Sequence, residues 1–229
     1  MDVGINAKTI LSFLKKLESN NSKEWMDLNK KEYEKAKTFF IEMIDYVIKS
    51  TSKFDGTIAH LEPKKTIFRI NRDVRFSANK APYKNNFGSS INRDGKKSNM
   101  AGYYLHIQNN GTFIGAGVYM PQADTLQKIR QEIDYNTKGF EKIVTSKSFK
   151  DFYGSIDDSD KLKTAPKGYD KEATNIEWLK LKSFIAIKNF SNAQVLSPDF
   201  LEDVIKGFKV AKPLIDFINE PLQIDKDLI

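Results

Sequence analysis

The period of the apolar residues changes twice along this chain. It is helical up to about residue 55, alternating from Thr66 to Met120, and helical again after Pro121. A chain patterned this way cannot wind alternately between strand and helix, so it predicts strands grouped between two helical regions. Ile10, Phe13, Leu14 and Leu17 fall on one face of a short helix, with Asn6 as its cap and Asn20-Asn21 at its end. Asn21-Ser22-Lys23-Glu24 resembles a capping box and opens one longer helix, whose stripe runs through Trp25, Leu28, Ala36, Phe40, Met43, Ile44 and Val47 to a stop at Phe54-Asp55-Gly56. Trp25 and Tyr33 are expected to pack at the core or its edge.

Four runs then alternate as strands: residues 66–72, 86–91, 100–108 and 112–119. Asn109-Asn110-Gly111 predicts a hairpin, so the last two of these pair antiparallel. Beyond Pro121 come a helix through Leu126, Ile129, Arg130 and Ile133, and further helical turns around Phe140, Ile143 and Val144. Residues 154–175 are polar and rich in Gly, Asp and Lys, and are expected to form a loop-rich excursion. One more strand, 183–190, precedes a last helix opened by Ser197-Pro198-Asp199, in which Pro213 predicts a kink or a split. The expected fold is α+β: a mostly antiparallel sheet flanked by N-terminal and C-terminal helices, in a single domain over residues 1–229.

Charge is concentrated within the strand region. Lys64 to Lys97 holds ten Lys and Arg against two acids, Asp73 and Asp94, while the remaining 27 basic and 28 acidic residues nearly cancel. At its centre stand Arg69, Arg72, Asp73 and Arg75, followed by Lys80, Pro82, Tyr83 and Lys84. Positive charge this local points to an anionic ligand. In an extended segment Arg69, Asn71 and Asp73 share the open face, with Phe68 and Ile70 packed beneath. Arginine suits two-pronged contact with phosphate or carboxylate, and Pro82 fixes the turn that brings Lys80 and Lys84 together. Asp73 is either a counter-ion for these arginines or, with His106, a proton-transfer group. His106 shares a strand face with Tyr104 and Gln108. The expected ligand-binding set is Arg69, Arg72, Arg75, Lys80, Tyr83 and Lys84, with His106 and Asp73 as candidate catalytic groups. The guanidiniums of Arg69 and Arg75 are expected to approach each other in a pocket shared with Tyr83 and His106.

Other chemistry is disfavoured. The chain has no cysteine and two histidines, His60 and His106, with no acidic pair beside either, so no metal site or cofactor is expected. No phosphate-loop or dinucleotide fingerprint appears. The start, Met1 to Asn6, lacks a signal-peptide pattern and no run is long enough to cross a bilayer, so a cytoplasmic setting without membrane contact is expected.

The run Arg69-x-x-Arg72-Asp73-x-Arg75-Phe76-Ser77-x-x-Lys80-x-Pro82-Tyr83-Lys84 resembles the signature of an uncharacterised family, domain of unknown function 2461. Phe13-Leu14, Asn20-Asn21, Trp25 and Tyr33 extend the likeness, as do Tyr103-Tyr104-Leu105-His106, Gly115-x-Gly117-x-Tyr119-x-Pro121, Ile129-Arg130 and Pro166-Lys167-Gly168. The resemblance implies one α+β domain in an intracellular setting and brings no activity. Three functions stay open: binding or transforming a phosphorylated or carboxylated small molecule, holding a single-stranded nucleic acid, or docking an acidic protein partner. Oligomeric state is not legible.

Overall fold

A computed structural model describes residues 3–223, with side chains from Asn6 onward. The first two residues, which the reading of the N-terminus includes, lie outside that range. In chain order the helices α1 (Val3–Ser19), α2 (Lys23–Leu28), α3 (Lys30–Thr51) and α4 (Pro63–Thr66) precede three strands, β1 (Asn86–Ile91), β2 (Gly102–Gln108) and β3 (Thr112–Val118). Helices α5 (Ala123–Tyr135), α6 (Thr137–Val144), α7 (Lys147–Tyr153) and α8 (Ile176–Leu179) lead to β4 (Phe184–Phe190). Helices α9 (Asn192–Val195) and α10 (Phe200–Gln223) close the described chain. The strands form one antiparallel sheet in the order β1-β2-β3-β4, so the fold is α+β.

The chain divides into two compact units. The first comprises residues up to Ile91 with Tyr104–Ile114 and Asn189–Lys206; the second comprises Asn92–Tyr103, Gly115–Lys188 and the residues from Gly207. In the first, Phe13 of α1 and Phe40 of α3 meet Phe87 of β1, with ring centroids 6.3 and 5.4 Å away, and Tyr33 and Trp25 lie against Phe13. In the second, Phe140 of α6 contacts Phe217 of α10 and Phe184 of β4, while Phe208 of α10 lies 4.7 Å from Tyr103 of β2. Each buried ring contributes roughly 1.5–3 kcal/mol by leaving water, and each well-placed ring pair about 0.5–1.5 kcal/mol more.

The sheet shows why alternation predicted its strands. On β2, Tyr103, Leu105 and Ile107 are buried and Tyr104, His106 and Gln108 are half-buried on the other face. The turn to β3 forms as expected: Asn110 takes a left-handed φ of 55°, and the Gly111 amide donates to the Gln108 carbonyl at 3.2 Å. Asn192 of α9, which no periodicity marked, clamps this turn by accepting from the Asn110 amide and donating to the Asn109 side chain.

Several expectations are corrected. The first helix starts at Val3, so Asn6 lies inside it rather than capping it, and its amide reaches Glu42 instead. The long second helix is two, broken at Asn29. There the side-chain amide donates to the Trp25 carbonyl at 2.8 Å and the backbone leaves the helical region, a local competition typical of Asn. The break turns Leu28 out to 87% exposure, off the expected stripe. Residues 66–72 do not form a continuous strand. Thr66 ends α4, and the segment beyond it makes two separate antiparallel bridges, Ile67 with Ser89 and Asn71 with Tyr83, on either side of a bend at Ile70. The bend breaks the parity, so Ile70 is buried while Phe68 is not packed beneath it but stands 36% exposed. Pro213 does not split α10. It lies on the exposed side, where it withholds an N–H from the Lys209 carbonyl without disturbing the apolar face, and Leu214 and Phe217 stay in the core.

Candidate functional site

The basic motif lies within the first unit as a hairpin whose arms are residues 70–72 and 82–84. The Arg72 amide donates to the Pro82 carbonyl and the Lys84 amide to the Ile70 carbonyl, each at 2.8 Å. That pairing points the backbone N–H and C=O of Tyr83 away from the partner arm. Asn21, in the turn between α1 and α2, takes both: its Oδ1 accepts from the Tyr83 amide at 3.1 Å and its Nδ2 donates to the Tyr83 carbonyl at 3.0 Å. A side-chain amide presents donor and acceptor side by side, as a strand edge does, so Asn21 anchors the hairpin to the helical layer. Sequence reasoning placed Asn21 at a helix end and missed this role, since a contact across 62 positions leaves no local pattern.

The structure sorts cations that the sequence treats as equals. Arg75 grips Asp73 through two parallel hydrogen bonds, Nε to Oδ1 at 3.0 Å and Nη2 to Oδ2 at 2.7 Å. These bonds hold the Asp73 carboxyl below the usual carboxylate range, and the charge of Arg69 adds to the effect. The Arg75 guanidinium also lies 5.8 Å from the ring centroid of Phe76, which is 96% exposed. Arg72 closes the loop from within, donating to the Ala81 carbonyl at 3.2 Å and the Ser77 hydroxyl at 3.3 Å. Lys80 donates to the Val74 carbonyl at 3.2 Å. Arg69 and Lys84 remain at the base of the hairpin without an ion pair among the described residues.

Lys84 sits over the ring of Phe68, its Nζ 5.6 Å from the centroid, and Phe68 meets Tyr104 of β2 edge-on. Burial, and then the like charge of Arg69, pull its amine below the ordinary lysine range. Its charge is also felt by His106. His106 stacks on Phe113 at 4.6 Å and is held at both nitrogens, by the Tyr104 hydroxyl at Nδ1 (3.1 Å) and by Gln108 Oε1 at Nε2 (2.9 Å). With Gln108 accepting, Nε2 carries the proton and Nδ1 accepts from Tyr104. Burial lowers the His106 pKa, the bond to Gln108 partly opposing it, so the ring is neutral near pH 7. Burial also pushes the Tyr104 phenol up to about 12, so it remains a donor. Tyr104 lies across Gly88, where a Cβ would collide with its hydroxyl. The glycine that makes room for this tyrosine is therefore on β1, whereas a Cβ at Gly117 would meet the backbone of β4.

A cavity of about 340 Å³ lies beside the hairpin, lined by Glu18, Asn21, Arg72, Asn79, Tyr83 and Lys84 among others. Of the expected ligand set, Arg72, Tyr83 and Lys84 line it and Arg69, Arg75 and Lys80 do not; the candidate catalytic groups His106 and Asp73 are not in its lining either. Tyr83 is almost fully buried and is held by backbone bonds, so it shapes the wall. Among the described residues no cluster of three or more His, Asp and Glu is placed to hold a metal ion. No helix there is long and apolar enough to cross a membrane.

In the second unit, two pieces of the motif pattern come near each other. Arg130 of α5 donates to the Leu181 carbonyl at 3.0 Å, its Nε is buried without a hydrogen-bond partner, and its charge acts on Tyr169, next to Gly168. Their separation of some forty positions hid this neighbourhood from the sequence.

Among curated proteins and among solved structures, no relative matches the chain. The sequence profile of a conserved hypothetical protein family, domain of unknown function 2461, matches residues 9–217, nearly the whole length, and the chain belongs to that family.

Proposed function

We propose that this protein binds, or acts on, a compact phosphorylated or carboxylated small molecule, and that Arg69 and Lys84 are the groups that hold its charge. The observation that carries the reading is the unbalanced pair itself. Two cations stand close enough for one to depress the other's pKa, one of them partly buried, and no carboxylate forms an ion pair with either among the described residues. Like charges brought together this way cost free energy in the empty site, and a bound anion recovers it. The aromatic ring of Phe68 beneath the amine and the half-buried Tyr104 offer an apolar surface for the remainder of a ligand. A cytoplasmic setting belongs to the same proposal.

Calorimetric titration with inorganic phosphate and a panel of phosphorylated and carboxylated metabolites tests it. Saturable binding that is lost in Arg69→Ala and survives physiological salt is the expected result. The exposed Phe76 beside Arg75 favours the alternative, a single-stranded nucleic acid held by stacking and phosphate contacts. That reading requires oligonucleotide affinity falling with salt at a log–log slope of about −0.7 per contact. Tight oligonucleotide binding at physiological salt, lost in Phe76→Ala, overturns the small-molecule reading.

A further inference from the structure

The cavity beside the hairpin carries both signs of charge, and all of its lining belongs to the first unit. The last turn of α1 contributes Glu18, and the arms of the hairpin contribute Arg72 and Lys84. These groups share one cavity, yet among the described residues no ion pair joins the carboxylate to either cation. Asn21, three positions after Glu18, grips the backbone of Tyr83, the neighbour of Lys84, at 3.0 and 3.1 Å. That clamp sets the spacing between the acidic wall and the basic one.

Glu18 is poorly placed to serve the fold. A carboxylate in the last turn of a helix meets the negative end of the helix dipole. Lys16, the basic residue of that turn, is taken by Glu32 at 2.8 Å. Lys84 enters as a cation, because the Phe68 ring centred 5.6 Å from its Nζ favours the charged ammonium. Arg72 is fixed by the Ala81 carbonyl and the Ser77 hydroxyl, and a guanidinium has further N–H groups to offer. Much of the remaining lining is amide. Asn79 uses its Oδ1 on the Ala81 amide at 2.9 Å and keeps its Nδ2 as a donor. The side chains of Asn85 and Asn86 make no hydrogen bond among the described residues. A volume of about 340 Å³ is at the small end of ligand pockets, which run from about 300 to 1,000 Å³ and are mostly apolar. This one presents charges and amides instead. We infer that the cavity takes a free α-amino acid with a polar side chain: its ammonium on Glu18, its carboxylate on Lys84 and Arg72, and its side chain on the asparagine amides. The inference rests on the anion-binding reading above for Lys84 and gives it a substrate class, adding a positive group on the ligand that Glu18 reads.

Calorimetric titration of the whole chain with L-glutamine tests it. The comparison ligands are glutaramate, which lacks the ammonium, L-glutaminamide, which lacks the carboxylate, and L-norleucine, which lacks the side-chain amide. L-glutamine is expected to bind saturably with a Kd of about 1 mM or tighter, and each analogue at least about fivefold more weakly. Glu18 is exposed, so Glu18→Gln leaves the fold intact. It should erase the preference for glutamine over glutaramate and keep the preference over glutaminamide. Lys84→Gln should do the opposite, with Arg72 retaining part of the second preference. A merely structural role would weaken all four ligands alike. The inference is overturned if glutamine does not saturate, if glutaramate or norleucine binds as tightly, or if Glu18→Gln leaves the preferences unchanged. Glutaramate equal to glutamine, with both lost in Arg69→Ala, leaves the anion site standing and removes the amino acid. Glutamine bound with its preferences intact in Arg69→Ala sustains the amino-acid cavity and removes Arg69 from the proposed function.

Discussion

Replacing Asn21 tests whether one side chain holds the basic hairpin in place. Asn21 makes two hydrogen bonds to the Tyr83 backbone, at 3.0 and 3.1 Å, in a half-buried setting. Each such bond contributes about 1 kcal/mol net, and Tyr83 gains no other backbone partner when they are removed. Asn21→Ala is therefore expected to destabilise the fold by about 2 kcal/mol. For a chain of this size that corresponds to a fall in Tm of roughly 4–8 °C. Asn21→Asp separates hydrogen bonding from packing. It still accepts from the Tyr83 amide, but it sets a carboxylate oxygen against the Tyr83 carbonyl, so it is expected to be at least as damaging as alanine. Urea denaturation measures the loss, and hydrogen exchange locates it, with the Tyr83 amide deprotected well before those of β1. A change below about 0.5 kcal/mol with unaltered exchange at Tyr83 would refute the idea that Asn21 acts as a surrogate strand edge.

Gly117 has a φ of +131°, and a Cβ there would collide with the Phe184 carbonyl oxygen, so Gly117→Ala should cost about 3 kcal/mol or more; a urea midpoint within error of wild type refutes this. Burial depresses the His106 pKa in the folded protein below its unfolded value of about 6.5, so the unfolded chain binds more protons between the two values. Stability should then fall as pH drops through about 6.5 and level off below the folded pKa. Denaturation midpoints between about pH 7.5 and 5 should fall further for the wild type than for His106→Gln, and parallel profiles refute the claim. Arg75 pairs with Asp73 on an exposed loop, so Arg75→Ala should leave the thermal midpoint in place; a clear drop in a melting curve shows that the pair supports the fold.

What sequence alone could determine here was whatever depends on neighbours along the chain. The alternation of Tyr103, Leu105 and Ile107 with Tyr104, His106 and Gln108 set β2 and its two faces, because a strand's side-chain period is local. Asn110-Gly111 set the turn, since those residues tolerate its backbone angles. The same reasoning located the cation cluster but could not rank its members. Which arginine is spent on Asp73, which closes a loop onto Ala81, and which stays unpaired depend on a bend at Ile70 and on chain segments arriving from elsewhere. Two failures share that cause: the expected strand over 66–72 lost its parity at the bend, and the long helix broke at Asn29 where a side chain outcompeted the backbone. Asn21 on Tyr83, Gly88 beneath Tyr104 and Lys84 on Phe68 are pairings across 62, 16 and 16 positions, and no periodicity encodes them. Residue spacing specifies the elements because backbone geometry is periodic, while the site is specified only when the folded chain brings unlike segments within a few ångströms, where desolvation and charge act.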